Sequence, residues 1–301
     1  MRYPRLRHHT ERGGLVASDA LLMCFYMQHP NERIAPAVLR ALQLLRERIH
    51  PYQLAWYDAG EGQADPLDDA AWERLRIRTL NPEPDTSAWF VLDGKKFEEV
   101  DELRVHYRGL DAFPSPWPEQ ENTVSVLYVR LPTEFLEERG ADQVRALALD
   151  MAAELPFNSG YVDFALCSDG WYLGEALQHI RPRYPGVHLA LSRARLRMNT
   201  WVEGVHWMNF LGEPVLGKLG GVPGLRERLA LPGISLQEMS GDRVLITLGE
   251  HPEVGDVEAG QTPPLHRALA RLLEPHLYRS DFDDFYPITE ELLRWERRFL
   301  D

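Results

Sequence analysis

Residues 199–221 read NTWVEGVHWMNFLGEPVLGKLGG, and residues 241–256 read GDRVLITLGEHPEVGD. The first block gathers Trp201, Trp207, Phe210 and Leu211 into one short segment. Large rings so close together read as core, because each buries more area than an aliphatic side chain. Gly217, Gly220, Gly221 and Gly224 then read as tight turns and helix ends. Thr200–Phe210 reads as a strand and Val222–Leu229 as a short helix. Ser235–Met239 and Arg243–Leu248 read as a hairpin around Ser240-Gly241-Asp242, a turn by its chemistry. Pro264–Leu273 reads as a helix, and the chain ends in a helical segment around Trp295 and Phe299. Composition and spacing here lead to an α+β protein and to no complete catalytic set.

Working back toward the N-terminus, Leu15–Met27 is apolar enough for a buried strand. Pro36 is placed to open a helix reaching Ile49, with Val38, Leu42, Leu45 and Ile49 on one stripe and Pro51 beyond it. Tyr52–Tyr57 and Ser87–Leu92 read as strands, and Leu103, Val105 and Tyr107 alternate as one half-buried strand does. The proline-rich Phe113–Pro118 suggests a subdomain boundary near 111–122 within residues 1–301. Thr123–Arg130, a long helix over Glu134–Leu155, and Gly160–Leu166 then give a β-α-β order that expands a mixed sheet. Trp171–Ile180 reads as a helix. His188–Met198, with alternating Arg193, Arg195 and Arg197, reads as a strand with one charged face. The fold class expected is α+β, with mixed, largely antiparallel sheets flanked by helices. The repeated strand–helix–strand order leaves two related halves open.

The totals narrow the function. Hydrophobic residues make up 44% and charged residues 26% of the 301, which is the composition of a globular chain. The net charge of −13 opposes a general nucleic-acid binder and suits a basic partner. Cys24 and Cys167 lie in apolar runs without metal or redox spacing, so both read as buried free thiols. Arg2, Arg5, Arg7 and Arg12 before an apolar run imitate a signal peptide, but Asp19 interrupts it and no small-residue cleavage site follows. No apolar run reaches bilayer length, and a cytoplasmic protein is expected.

Three constellations tempt and fail. Gly212–Lys218 matches G-x-x-x-x-G-K, yet Leu219 replaces the magnesium-binding hydroxyl and Pro214 removes a cradle N–H. His251, Glu253 and Asp256 lack the spacing of a metal or acid–base set and read as a loop turning at Gly255. His206 beside Trp207 reads as a core histidine. No catalytic, cofactor-binding or metal residues are therefore assigned. Acidic runs remain: Asp58, Glu61, Asp65, Asp68, Asp69 and Glu73 around Trp72, and Asp281, Asp283 and Asp284 around Phe282, Phe285 and Tyr286. The first reads either as a solvated loop and helix start, since acidic residues favour a first turn, or as a contact surface for a basic partner; the second sets aromatic rings among carboxylates and offers the same partner a further surface.

The order Gly204–Leu211, Leu219–Gly221 and Gly249–Asp256, followed by a helical segment to Leu273-Glu274-Pro275, resembles the type VI secretion immunity protein family. Those bacterial proteins neutralise a co-encoded toxin. On this resemblance Gly204, Trp207, Phe210, Leu211, Gly220, Gly221, Gly249, Pro252, Gly255 and Asp256 are structural motif positions. It implies an inhibitor that binds a secreted effector, here expected to be a nuclease with a basic cleft, and occludes it. From charge, hydropathy and the failed motifs, no cofactor, no direct nucleic-acid contact and no membrane are expected. The partner-binding residues expected are Asp58, Glu61, Asp65, Asp68, Asp69, Trp72, Asp281, Phe282, Asp283 and Asp284. The alternative is an enzyme, a hydrolase or a toxin-modifying one, whose site the sequence does not reveal.

Overall fold

Thirteen residues, Leu15–Met27 (β2), make the spine of the molecule in a computed structural model. The structure describes residues 2–9, 13–58, 64–82, 88–95, 103–110, 122–168, 183–191, 197–279 and 290–300. Leu21, Met23, Phe25 and Met27 point to one face of the sheet, and Ala20, Leu22, Cys24 and Tyr26 to the other; all are buried. Alternation puts successive side chains on opposite faces, so a continuous apolar run is what a strand covered on both sides requires.

Among the described residues twelve strands form one sheet. In chain order they are His8–His9 (β1), β2, Trp56–Asp58 (β3), Asp65–Pro66 (β4), Trp89–Asp93 (β5), Arg104–Arg108 (β6), Ser125–Pro132 (β7), Ser159–Ser168 (β8), His188–Leu191 (β9), Met208–Leu211 (β10), Ile234–Met239 (β11) and Arg243–Leu248 (β12). Their spatial order is β11-β12-β10-β8-β2-β7-β6-β5-β3-β4, with β1 on β2 and β9 on β8. Every pairing is antiparallel except β8 with β9. The sheet is thus mixed and largely antiparallel. Because β7 and β8 both pair with β2, the β-α-β unit is split by an inserted strand.

One face is covered by Asn31–Arg48 (α1), Asp69–Leu80 (α2), Thr133–Arg139 (α3) and Ala141–Glu154 (α4). The stripe Val38, Leu42, Leu45 and Ile49 is buried as its period predicts. The other face carries Val215–Lys218 (α5), Gly221–Arg228 (α6), Pro264–Leu273 (α7) and Phe299, just past Glu290–Glu296 (α8). These cover Leu211, Val244, Ile246 and Leu248 of β10 and β12.

Four boundaries differ from the sequence reading. The first helix starts at Asn31, not at Pro36, because Pro30 ends an extended segment and Asn31 N–H already bonds Leu110 O at 2.8 Å. Pro36 sits in its second turn. The single helix over Glu134–Leu155 is two, broken at Gly140 with φ +80°, a conformation glycine alone adopts freely. The strand over Tyr52–Tyr57 shortens to Trp56–Asp58. Of Thr200–Phe210 only Met208–Leu211 joins the ladder; Val202 instead exchanges bonds with His276 O and Tyr278 N–H, drawing the segment off the sheet. The expected helix at Trp171–Ile180, residues 192–196 of the strand expected over His188–Met198 and the boundary loop at 111–121 lie outside the described residues; His188–Leu191 of that strand is β9.

Candidate functional site

The aromatic–glycine block divides into a buried part and an exposed ring. Trp207, Phe210 and Leu211 are fully buried. Phe210 packs at 5.3 Å from Phe25 and 5.6 Å from Phe157, in tilted and edge-on geometries that aromatic rings favour. Trp201 is not core, contrary to the reading of the block as a unit: the residue is 43% exposed. Gly220 and Gly221 carry φ of +82° and +67° where α5 turns into α6. The Gly249–Asp256 loop has a mechanical reason. Gly186 N–H bonds Val254 O at 2.8 Å, and a Cβ on Gly186 would lie 1.9 Å from Glu253 O. Arg183 reaches Asp256 at 2.9 Å, which holds the Asp256 carboxyl below its usual range. Gly255 takes φ +65° and Pro252 is buried, so this loop clasps the segment entering β9. His251, Glu253 and Asp256 therefore serve a loop. Gly186→Ala should cost stability measurably in a urea melt, because the clashing atom is backbone and cannot swing aside.

Beneath that block lies a polar cluster that the sequence reading did not assemble. Tyr26 Oη donates to Glu203 Oε2 at 2.6 Å, and Tyr161 Oη lies 3.2 Å from His188 Nε2. The Tyr161 ring stacks on His206 at 4.0 Å, and His206 Nδ1 lies 3.3 Å from Asp163 Oδ2. Asn209 braces the turn by accepting from His206 N–H and donating to His206 O. Burial pushes His188 and His206 down to about 3 and His266 to about 4, and raises Asp163 to about 6. The histidines are thus neutral at pH 7. His188, Glu203, His206, Arg298 and Phe299 border a cleft of about 40 Å³. That space suits a few waters rather than a substrate. Among the described residues no three His, Cys, Asp or Glu could hold a metal ion. Cys24 and Cys167 are buried free thiols, as expected, and burial raises the Cys24 pKa away from reactivity.

The phosphate-loop lookalike has its donors engaged. Gly212 N–H bonds Asn158 O, Leu216 N–H bonds Gly212 O and Lys218 N–H bonds Pro214 O, at 2.9 to 3.1 Å. A phosphate cradle needs those N–H groups free. Calorimetry with ATP or GTP should therefore give no micromolar binding; such binding, lost in Lys218→Ala, would contradict this reading.

The first acidic stretch is split. Asp58 is buried at the end of β3. Register places it toward the same end of the sheet as Tyr26 and Ser159, while β4 carries the chain back toward the other end, where Asp68 and Asp69 follow. Asp65, Asp68 and Asp69 are exposed; Glu61 lies outside the described residues. Asp68 caps α2, its carboxylate accepting from Ala71 N–H at 2.7 Å. Glu73 is paired with Arg76 at 2.6 Å. Trp72 is half-buried against the core, with the Arg46 guanidinium 4.2 Å above its ring. The described carboxylates thus do not form one patch. Asp281, Phe282, Asp283, Asp284, Phe285 and Tyr286 lie outside the described residues. Asp68→Ala should lower stability by about 1 kcal/mol, the usual loss of a helix cap. A melt identical to the parent would show the cap to be dispensable.

Comparison with protein families matches residues 37–299 to TsiV, type VI immunity for VRR-NUC. The chain belongs to the TsiV family. A solved structure of the Pseudomonas aeruginosa T6SS protein PA0821 superposes with a TM-score of 0.78 at 17% identity, covering 98% of this chain and 87% of that one. At that identity the likeness speaks for the fold. No curated protein matches. The TsiV match runs through the helices on both faces of the sheet and includes residues 204–256. No described helix is long and apolar enough to cross a membrane.

The sequence held a signal for the buried cluster. Asp163 sits inside the apolar run GYVDFALC and Glu203 inside TWVEGV, and a carboxylate in such a run needs a partner. What it lacked was the pairing, since Tyr26, Tyr161, His188, Glu203 and His266 are far apart in the chain.

Proposed function

We propose that this chain protects its cell by binding a VRR-NUC nuclease effector directly and covering the surface on which that nuclease holds nucleic acid. The family match over residues 37–299 carries the reading. The net charge of −13 supports its physics. A nuclease must bind phosphates through basic side chains, and an acidic protein is steered to such a surface and competes for it. Asp65 and Asp69 contribute to that field from the β4 edge, and no catalytic step is required of this chain. The buried Asp163–His206 pair is enclosed around a water-sized cleft and serves the fold.

The test is co-purification of the full chain with a catalytically inactivated VRR-NUC domain from the effector encoded beside it. A complex stable to gel filtration is expected. Separate elution at micromolar concentration would overturn the reading. Asp65→Lys with Asp69→Lys should slow association severalfold at low salt with little change in dissociation, because exposed charges act on encounter. Stability should stay within about 0.5 kcal/mol of the parent. Association unchanged at every salt concentration would remove these two residues from the steering field.

A further inference from the structure

We infer that Trp201, on a platform of side-chain amides at one end of the sheet, is the contact that holds the nuclease, receiving a basic side chain of its nucleic-acid surface on the indole face. The inference rests on the immunity reading and names the surface it uses.

Trp201 is the one aromatic among the large apolar side chains exposed in the described residues; the others, Ile77, Leu231, Val257 and Leu293, are scattered aliphatics of the kind any surface carries. Its backbone is fixed. Trp201 N–H bonds Met198 O at 2.8 Å, and Ser159 Oγ donates to Trp201 O at 2.9 Å. Beside it runs an amide chain. Gln28 Nε2 donates to Asn199 Oδ1 at 2.8 Å, and Asn199 Nδ2 donates to Asn122 Oδ1 at 2.9 Å. Asn158 Oδ1 accepts from Gln28 N–H at 2.6 Å, and its Nδ2 donates to Glu213 O at 2.8 Å. Asn122 and Asn199 adopt φ of +68° and +45°, a strained region tolerated where the surroundings enforce it.

This is the build of a binding hot spot: an exposed large ring whose backbone is already ordered, two residues along the chain from an ordered set of side-chain amides. The occupant follows from charge. The platform residues are neutral amides with the exposed Glu213 beside them, on a chain of net charge −13. A tryptophan face in such surroundings favours arginine or lysine through the ring quadrupole. The surface that a nuclease uses to hold phosphates presents those side chains.

Full-length parent, Trp201→Ala, Trp201→Phe and Gln28→Ala proteins are to be measured by biolayer interferometry against the inactivated VRR-NUC domain. Trp201→Ala should dissociate at least about tenfold faster with its melting temperature unchanged, as hot-spot removal acts on the off-rate. Trp201→Phe should lie between parent and alanine. Hydrogen exchange of residues 199–203 should slow in the complex, a readout that needs no variant to fold. If the parent binds but Trp201→Ala dissociates at the parent's rate, or exchange at 199–203 is unchanged in the complex, the platform is not the contact and the immunity reading stands. If the parent does not bind, both fall together.

Discussion

Trp207→Ala is expected to lower the unfolding free energy by about 3–5 kcal/mol, the range for truncating a buried large aromatic. Trp207 is the largest fully buried side chain among the described residues, and it joins the core beneath α1 and α4 through a segment that has left the regular sheet. Neighbours on β8 and β10 are fixed by ladders on both sides, so little can collapse into the space. At about 2 °C per kcal/mol for a large domain, the melting temperature should fall by about 6–10 °C. Its Nε1 has no hydrogen-bond partner among the described residues, so Trp207→Phe removes none of the bonds seen and should cost less. A Trp207→Ala protein melting within 2 °C of the parent would mean that the ring is not core.

Stability is also expected to fall steeply with acid. His188, His206 and His266 take up protons in the unfolded chain near pH 6.5, but in the folded protein only at about 3, 3 and 4. The unfolded state therefore binds more protons, and stability is lost as pH drops below 6.5. Asp163 acts oppositely. Its folded pKa of about 6 lies above its ordinary value of 3.8, so its contribution favours the fold at low pH and is lost as pH rises through about 6. Three uptakes against one leave a net of about two protons near pH 5, each worth about 1.4 kcal/mol per pH unit. Between pH 6.5 and 5 the loss should reach a few kcal/mol, read from urea melts at several pH values. His266 is buried with neither ring nitrogen bonded among the described residues, so His266→Leu should flatten that dependence. A parent equally stable at pH 7 and pH 5 would contradict the neutral buried histidines.

What could be read from sequence was what neighbours in the chain decide. The apolar run of β2, the β11–β12 hairpin around Gly241, the α2 start beside Asp68 and the alternation of Leu103, Val105 and Tyr107 each follow from local chemistry. The break at Gly140 needed a φ of +80° that no neighbouring residue announces. Trp201 and Trp207 looked alike in sequence. Their opposite fates come from Val202, whose bonds to residues 276 and 278 pull one ring outward while the other enters the core. The acidic stretch read as one surface because it is continuous in the chain, but Asp58 is buried at the end of β3 while Asp65, Asp68 and Asp69 are exposed, and Asp68 is engaged as the α2 cap. The buried histidine cluster was invisible as a unit, since strands β2, β8 and β9, the Glu203–His206 segment and helix α7 each supply one or two of its members.

The central claim is that protection is stoichiometric occlusion. Titrating the full chain into a fixed amount of the active VRR-NUC domain, with nucleic-acid cleavage as the readout, tests it most directly. Activity is expected to fall linearly to zero at one molecule per nuclease, a large excess of nucleic acid should restore it, and mass spectrometry should find both proteins chemically unchanged. Full inhibition at a small fraction of one equivalent, or a covalent change in the nuclease, would contradict occlusion and make this chain an enzyme.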